Sequence, residues 1–291
     1  MSCDRLILID GMCALYRAFY AIKNLSTKSG RPTNAVFGFV RMLNQIRELR
    51  NPSHWAVVFD GGLPKDRVEM LEEYKAQRPS MPDALREQIS VVEDYLDKAE
   101  IAWVRKDGEE ADDVIASIAD WAESQSDSIM IATNDKDIYQ LINRKTNVIP
   151  VAGRNDPFGP ESVKSKTGVA PSQMIDWLAL VGDSADNIPG VPGVGPKTAA
   201  KLINAFGSVQ EIWKHLDKVE SKKLRRSLQD SRDLVSRNMK IVRLKRDLGS
   251  LLNWDELKVR SVDPGKVLPL LEELELHSLA RELREGDLFK K

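Results

Sequence analysis

Only two cysteines, Cys3 and Cys13, and three histidines, His54, His215 and His277, occur among the 291 residues. The cysteines form no C-x-x-C pair and no disulfide framework, so a reducing cytoplasm is the expected compartment. The histidines lie far apart and lack metal-ligand spacing, which argues against a zinc hydrolase or a Ser-His-Asp hydrolase. Long apolar runs are missing too. None approaches the roughly 18 residues of a membrane span. The four apolar residues before Asp10 are too few for the core of a signal peptide. A net charge of −1 offers no overall attraction for a polyanion.

What is present is acid in particular places. Short apolar runs that read as strands end in carboxylates: "LILID" at Asp10, "WAVVFD" at Asp60, and "IMIATNDKD" with Asp135 and Asp137 just beyond its apolar part. "IAWV" at 101–104 and "NVIPV" at 147–151 are further strand candidates. Between them lie helical periods at 34–49, behind a Thr33 cap, at 82–99 and at 111–122. Continuous apolar strands alternating with helices predict a parallel sheet covered on both faces, an α/β fold whose ligands gather at the carboxyl ends of the strands.

Beyond residue 160 the strand signals fade. Helical stretches at 172–181, 197–205, 208–216 and 221–246 predict a mainly helical region. Between Lys214 and Asp247 twelve Lys or Arg stand against five Asp or Glu. Such a run is more often a solvated helix face than a ligand site, so it decides nothing alone. Residues 61–82 read as neither strand nor core helix, and length alone permits a mobile surface loop.

"VGDSADNIPGVPGVGPKTAAKLI", residues 181–203, imitates a phosphate-binding loop. Gly190 and Gly195 have the P-loop spacing, but Pro196 stands where the lysine belongs and Lys197 comes one residue late. A phosphatase of the D-x-D type starting at Asp10 fails likewise, because position 12 is Met12. "GEEADDVIASIADW" puts Glu109, Glu110, Asp112 and Asp113 at a helix start. The helix dipole favours acids there by about 0.3–1 kcal/mol each, enough to account for one or two. Taken with Asp183 and Asp186, the acids at strand ends would repel one another, and hard divalent cations resolve that repulsion. Two such ions about 3.5–4 Å apart would clamp a phosphodiester.

In order along the chain, "LIDGMCALYRAFYA", "NAVFGF", "VVFDG", "EEYKAQRP", "EEADDVIAS", "TNDKDIYQL" and "GDSADNIPGVPGVGPKTAAKL" resemble the 5′-nuclease domain of bacterial DNA polymerase I. That domain belongs to the flap endonuclease and 5′–3′ exonuclease superfamily. The resemblance covers roughly residues 5–285, and with no polymerase region following Lys291 the chain resembles a free-standing member.

The resemblance implies a parallel-sheet nuclease core at 5–162, with an arch at about 62–86, and a helical region with a helix–hairpin–helix-type element at 163–285. It implies Asp10, Asp60, Glu110 and Asp112 around one metal ion and Asp135, Asp137 and Asp186 around another, with Asp113 and Asp183 nearby. Lys75 and Arg78 of "YKAQR" match catalytic cations of the arch, with Arg67 a weaker candidate. Tyr16 matches a base-stacking position, and Gly193, Gly195 and Lys197 a duplex phosphate contact. The implied cofactors are two or more Mg²⁺, replaceable by Mn²⁺, and K⁺ at the Gly-rich turn. The implied activity is magnesium-dependent cleavage of duplex DNA near a 5′ flap or free 5′ end, including RNA-primed DNA, in replication and repair. A monomer without a membrane, working with a separate DNA polymerase, completes the expectation. A related ribonuclease with a smaller acidic site and a DNA-binding module without catalysis are the rival readings. The helix–hairpin–helix element and the arch weigh against the first, and the full set of acids against the second.

Overall fold

Alternation within the first strand sets the architecture. In β1 (Arg5–Asp10) Leu6 and Leu8 join one apolar cluster and Ile7 and Ile9 another, and all four are fully buried. A strand buried on both faces belongs at the centre of a covered parallel sheet. The computed structural model describes residues 4–153, 156–249 and 251–289; Cys3 lies outside them. It has one five-stranded parallel sheet with β1 in the middle. β2 (His54–Phe59) and β3 (Trp103–Arg105) lie on one side of it, β4 (Ser128–Ala132) and β5 (Thr146–Ile149) on the other. Register pairs Asp10 with Val58 and Ile9 with Ala132. Asp10, Asp60 and the segment after Ala132 therefore emerge along one carboxyl edge.

Helices Gly11–Ala21, Asn34–Arg50 and Asp83–Lys98 cover the Ile7 face, and Ala111–Ala122 covers the Leu6 face. Asp10 caps the first of these, its Oδ1 accepting from the Cys13 amide at 2.9 Å. The expected Thr33 cap is absent: Thr33 makes no side-chain capping bond, and its hydroxyl is buried without a partner. Gln88, from helix Asp83–Lys98, supplies the acceptor instead, taking the amides of Ala35 at 2.8 Å and Val36 at 3.2 Å. The helical stretch expected at 221–246 divides at Ser231 into Lys222–Asp230 and Arg232–Ile241.

The core does not part at residue 162. The cluster on the Leu6 face runs without a break into Trp177, Leu178, Ala199, Ile203, Val235 and Leu257. Helices Met174–Val181, Pro196–Phe206 and Arg232–Ile241 are thus built onto the sheet's covering layer. The chain then returns. Pro264–Glu273 and His277–Glu285 pack on the opposite face with Phe39, Trp55 and Leu96, so the end of the expected helical region belongs to the core's other side. Arg41 and Glu282 form a two-pronged ion pair there at 2.5 and 2.7 Å. Among the described residues no helix is long and apolar enough to cross a membrane.

Candidate active site

At the carboxyl edge a cleft of about 610 Å³ opens between the sheet and the segment after Asp60. Asp10, Asp60, Asp112 and Asp135 line it, together with Tyr16, Lys75, Arg78 and Arg105. Local hydrogen bonds aim Asp10, Asp60 and Asp135. Thr133 donates its hydroxyl to Asp10 Oδ2 at 2.8 Å and receives the Asp135 amide at 3.1 Å. Asp60 Oδ1 accepts the Ala111 amide at 3.0 Å, and Asp135 Oδ1 the Asp137 amide at 2.8 Å. Gly61 lets Asp60 sit here, since a Cβ at Gly61 would lie 1.8 Å from the Lys106 carbonyl oxygen.

A smaller void of about 10 Å³ adjoins the cleft and shares Asp112 and Lys75 with it; Glu110, Asp137 and Asp186 line its walls. Cations from residues 61–82 close this inner site. Lys75 pairs with Glu110 and lies 3.6 Å from Asp186, and Arg78 pairs with Asp186. The Tyr74 hydroxyl reaches both Glu110 oxygens, at 3.2 and 3.1 Å. The segment is therefore no loose loop. It carries helix Lys65–Met70, and Arg67 and Tyr74 are buried.

Four assignments depart from the sequence expectation. Arg67 is not an arch cation free for substrate but a buried clamp, pairing with Glu110 and, through both terminal nitrogens at 2.8 Å, with Asp113. Asp113 accordingly stands apart from the cleft: it is fully buried, and its Oδ1 also accepts the Lys245 amide at 2.8 Å. Asp183 lines neither space and pairs with Lys136 at 3.0 Å. Glu110 groups with Asp186 rather than with Asp10 and Asp60. Thr133, Tyr74, Gly61 and Arg105 are site residues that sequence reasoning missed. Gly61, Tyr74 and Thr133 lie within "VVFDG", "EEYKAQRP" and "TNDKDIYQL" without having been singled out, and Arg105 directly follows the strand candidate at 101–104.

Electrostatics follow from this crowding. Burial, opposed by the bonds from Cys13 and Thr133 and reinforced by Asp60 and Asp135, pushes the Asp10 carboxyl up to about 7. Asp112 and Asp137 are raised well above the ordinary carboxylate range by burial and by the acids around them. Burial would raise Glu110 as well, but Lys75 and Arg67 outweigh it and hold this carboxyl below its usual value. The Cys13 thiol is pushed up to about 11 by burial and by Asp10, so it stays protonated at neutral pH and is no nucleophile.

Among the described residues no three acids stand close enough to enclose an ion as they are. Glu110 is paired with Lys75 and Arg67, and Asp186 with Arg78. The donor set nevertheless fits hard divalent cations: it is all oxygen, mutually repulsive, and includes a buried Asp137 Oδ1 with no hydrogen-bond partner.

The Gly-rich turn joins helices Met174–Val181 and Pro196–Phe206. Gly193, Gly195 and Lys197 are exposed, and a Cβ added at either glycine would meet nothing within 4 Å. Gly193 adopts φ +82°, and Gly195 precedes Pro196 at the start of the second helix with no side chain capping that end. The tight glycines are others. A Cβ at Gly182 would fall 2.4 Å from the Gly190 nitrogen, and one at Gly190 2.1 Å from the Val181 carbonyl oxygen. That close approach seats the Asp183–Ile188 loop against the turn.

Two family profiles match: a 5′-3′ exonuclease N-terminal resolvase-like domain over residues 5–168, and a 5′-3′ exonuclease C-terminal SAM fold over 169–265. A 5′-3′ exonuclease of Aquifex aeolicus is 39% identical over 96% of this chain and 94% of its own. DNA polymerase I of Bacillus caldotenax is 36% identical over 96% of this chain, which spans only 32% of that polymerase. Among solved structures, a flap endonuclease variant of bacteriophage T5, in a pseudo-enzyme-product complex with DNA and metal ions, superposes with a TM-score of 0.69. It shares 25% identity over 93% of this chain and 99% of that one.

Proposed function

The chain belongs to the 5′-3′ exonuclease family, and on that premise we propose that it is a magnesium-dependent, structure-specific 5′ nuclease. It cuts a phosphodiester near the free 5′ end or 5′-flap junction of duplex DNA, leaving 5′-phosphate and 3′-hydroxyl ends. The observation that carries this reading is the row of acids along one carboxyl edge, faced by Lys75 and Arg78. Asp10, Asp60 and Asp112 would hold one Mg²⁺; Asp135, Asp137 and Asp186 would hold the other, with Glu110 beside Asp186. Bound there, the ions would supply Lewis acidity to activate a water and to neutralise charge on the leaving oxygen.

The remaining work falls to the chain's own groups. Thr133 fixes the Asp10 carboxylate through Oδ2, and the Ala111 amide fixes Asp60. Lys75 and Arg78, now engaged with Glu110 and Asp186, turn to the nonbridging oxygens of the scissile phosphate as the strand enters, stabilising charge that grows in the transition state. Tyr16 stacks on a base beside it. The exposed amides at Gly193 and Gly195, with Lys197, grip a phosphate of the duplex.

A labelled 5′-flap duplex incubated with magnesium or with EDTA tests the reading. Cleavage in magnesium alone is expected, and Asp186→Asn should lower it by about a hundredfold or more while flap binding persists. Binding without cleavage in either buffer would favour a DNA-binding module, and near-normal turnover by Asp186→Asn at saturating magnesium would remove Asp186 from the reaction.

A further inference from the structure

One aromatic ring remains outside this account. Tyr20 is 63% exposed, more than any other large apolar side chain among the described residues. It does not point out alone: its ring stacks on Tyr16, with centroids 6.3 Å apart and planes 19° apart, and meets Phe19 edge-on at 5.3 Å. Tyr16 lines the cleft. The two tyrosines are one turn apart on helix Gly11–Ala21, which starts at Asp10 and leads away from the acids by 1.5 Å per residue. That helix is held in place at both ends. Asp10 caps it at the site, and Ala18 packs so closely on Gly38 that a Cβ there would lie 2.7 Å from the Ala18 methyl. Arg17, exposed and three residues before Tyr20, is its neighbour on the helix surface.

We infer that Tyr16 and Tyr20 form a two-ring ladder that takes consecutive unpaired bases of the strand carrying the scissile phosphate. Tyr20 receives the base one nucleotide farther from the acids than the base at Tyr16. The inference rests on the nuclease reading above and deepens it, for it adds a second stacking position. Exposed aromatic faces beside cations are how proteins hold single strands without reading their sequence. Preference for this strand follows from Tyr16, which shares its cleft with the acids.

The test places 2-aminopurine, whose fluorescence falls on stacking, at successive nucleotides around the scissile phosphate, and separately in the template strand. Binding is followed in EDTA, which stops hydrolysis. Wild type should quench two neighbouring positions of the cut strand and none of the template. Tyr20→Ala should restore fluorescence at one of the two and weaken binding by about 5- to 150-fold, the range for losing one base–aromatic stack. Tyr20→Phe should behave as wild type and Tyr20→Leu as Tyr20→Ala, which separates stacking from simple bulk. Both quenches surviving in Tyr20→Ala, or Tyr20→Leu binding as tightly as wild type, would overturn the ladder. Wild-type protein that cleaves flaps in magnesium while Tyr20→Ala is indistinguishable from it refutes the ladder alone. Failure of the wild type to bind or cut them refutes the nuclease reading first.

Discussion

Lys75 occupies a left-handed backbone position, φ +57°, that non-glycine residues seldom adopt. Its amide donates to the Asp186 carbonyl at 3.0 Å while its ammonium reaches Glu110, so backbone and side chain are both pinned at the inner site. Lys75→Ala should slow single-turnover cleavage by about 10²–10³, the usual effect of losing one preorganised charge, with duplex binding nearly unchanged; a change in affinity alone would make it a plain backbone contact. The buried acids give a second expectation. Asp10 keeps its proton up to about pH 7, whereas the unfolded chain releases it near 3.8. The folded state thus holds more protons across that window, and stability must fall as pH rises through it. Glu110 acts in the opposite sense, losing its contribution only as pH drops below its ordinary 4.5. In EDTA the melting temperature should therefore fall by several degrees between pH 5 and 8, and magnesium should flatten the slope because cation binding displaces the protons. A rising melting curve in EDTA would refute the crowding of these acids. The acids themselves were legible in sequence because each follows its own strand. Their counter-charges were not: Arg67 meets Glu110 and Asp113 across 43 and 46 residues, a distance no local pattern encodes.

Among the elements, the turn at 189–196 separates two uses of glycine. Gly195→Val has open space and extended backbone, so it should leave the melting temperature unchanged and weaken duplex binding by shielding the amides. Gly193→Val adds the left-handed penalty at φ +82°, about 1–2 kcal/mol. Gly190→Ala should cost more stability than either, because its methyl would meet backbone at 2.1 Å. Lys197→Ala should lower the salt slope of log K by nearly one unit, about 0.9 per phosphate contact; an unchanged slope would take Lys197 off the DNA. The sequence marked this turn as rich in Gly but could not rank its members, since the demand at Gly182 and Gly190 comes from chain segments meeting in space. The five strands and the helices at 34–49, 82–99 and 111–122 were readable, as each is set by its own apolar period.

At the scale of the whole molecule, a single apolar cluster ties Leu6 of the central strand to Leu257. Unfolding should therefore be one cooperative event, with calorimetry, tryptophan fluorescence and far-UV circular dichroism giving coincident transitions. Two resolved transitions would mean that the helical region is stabilised independently of the sheet. The sequence places a division near residue 162, where strand signals stop, and the family profiles part at 168/169, while the apolar cluster continues across both positions.

The returning helices also impose an order on synthesis. β1 leaves the ribosome early, but one face of its sheet, including Ile7, Ile9 and Trp55, is completed by Val267, Leu271, Leu279 and Phe289. Phe289 meets Trp55 edge-on at 6.2 Å. Until that last stretch emerges, the nascent chain carries an open apolar wall on an otherwise assembled sheet. A released chain truncated before residue 264 should therefore display a form that chaperones bind and proteases cut, and restoring residues 264–289 should abolish it.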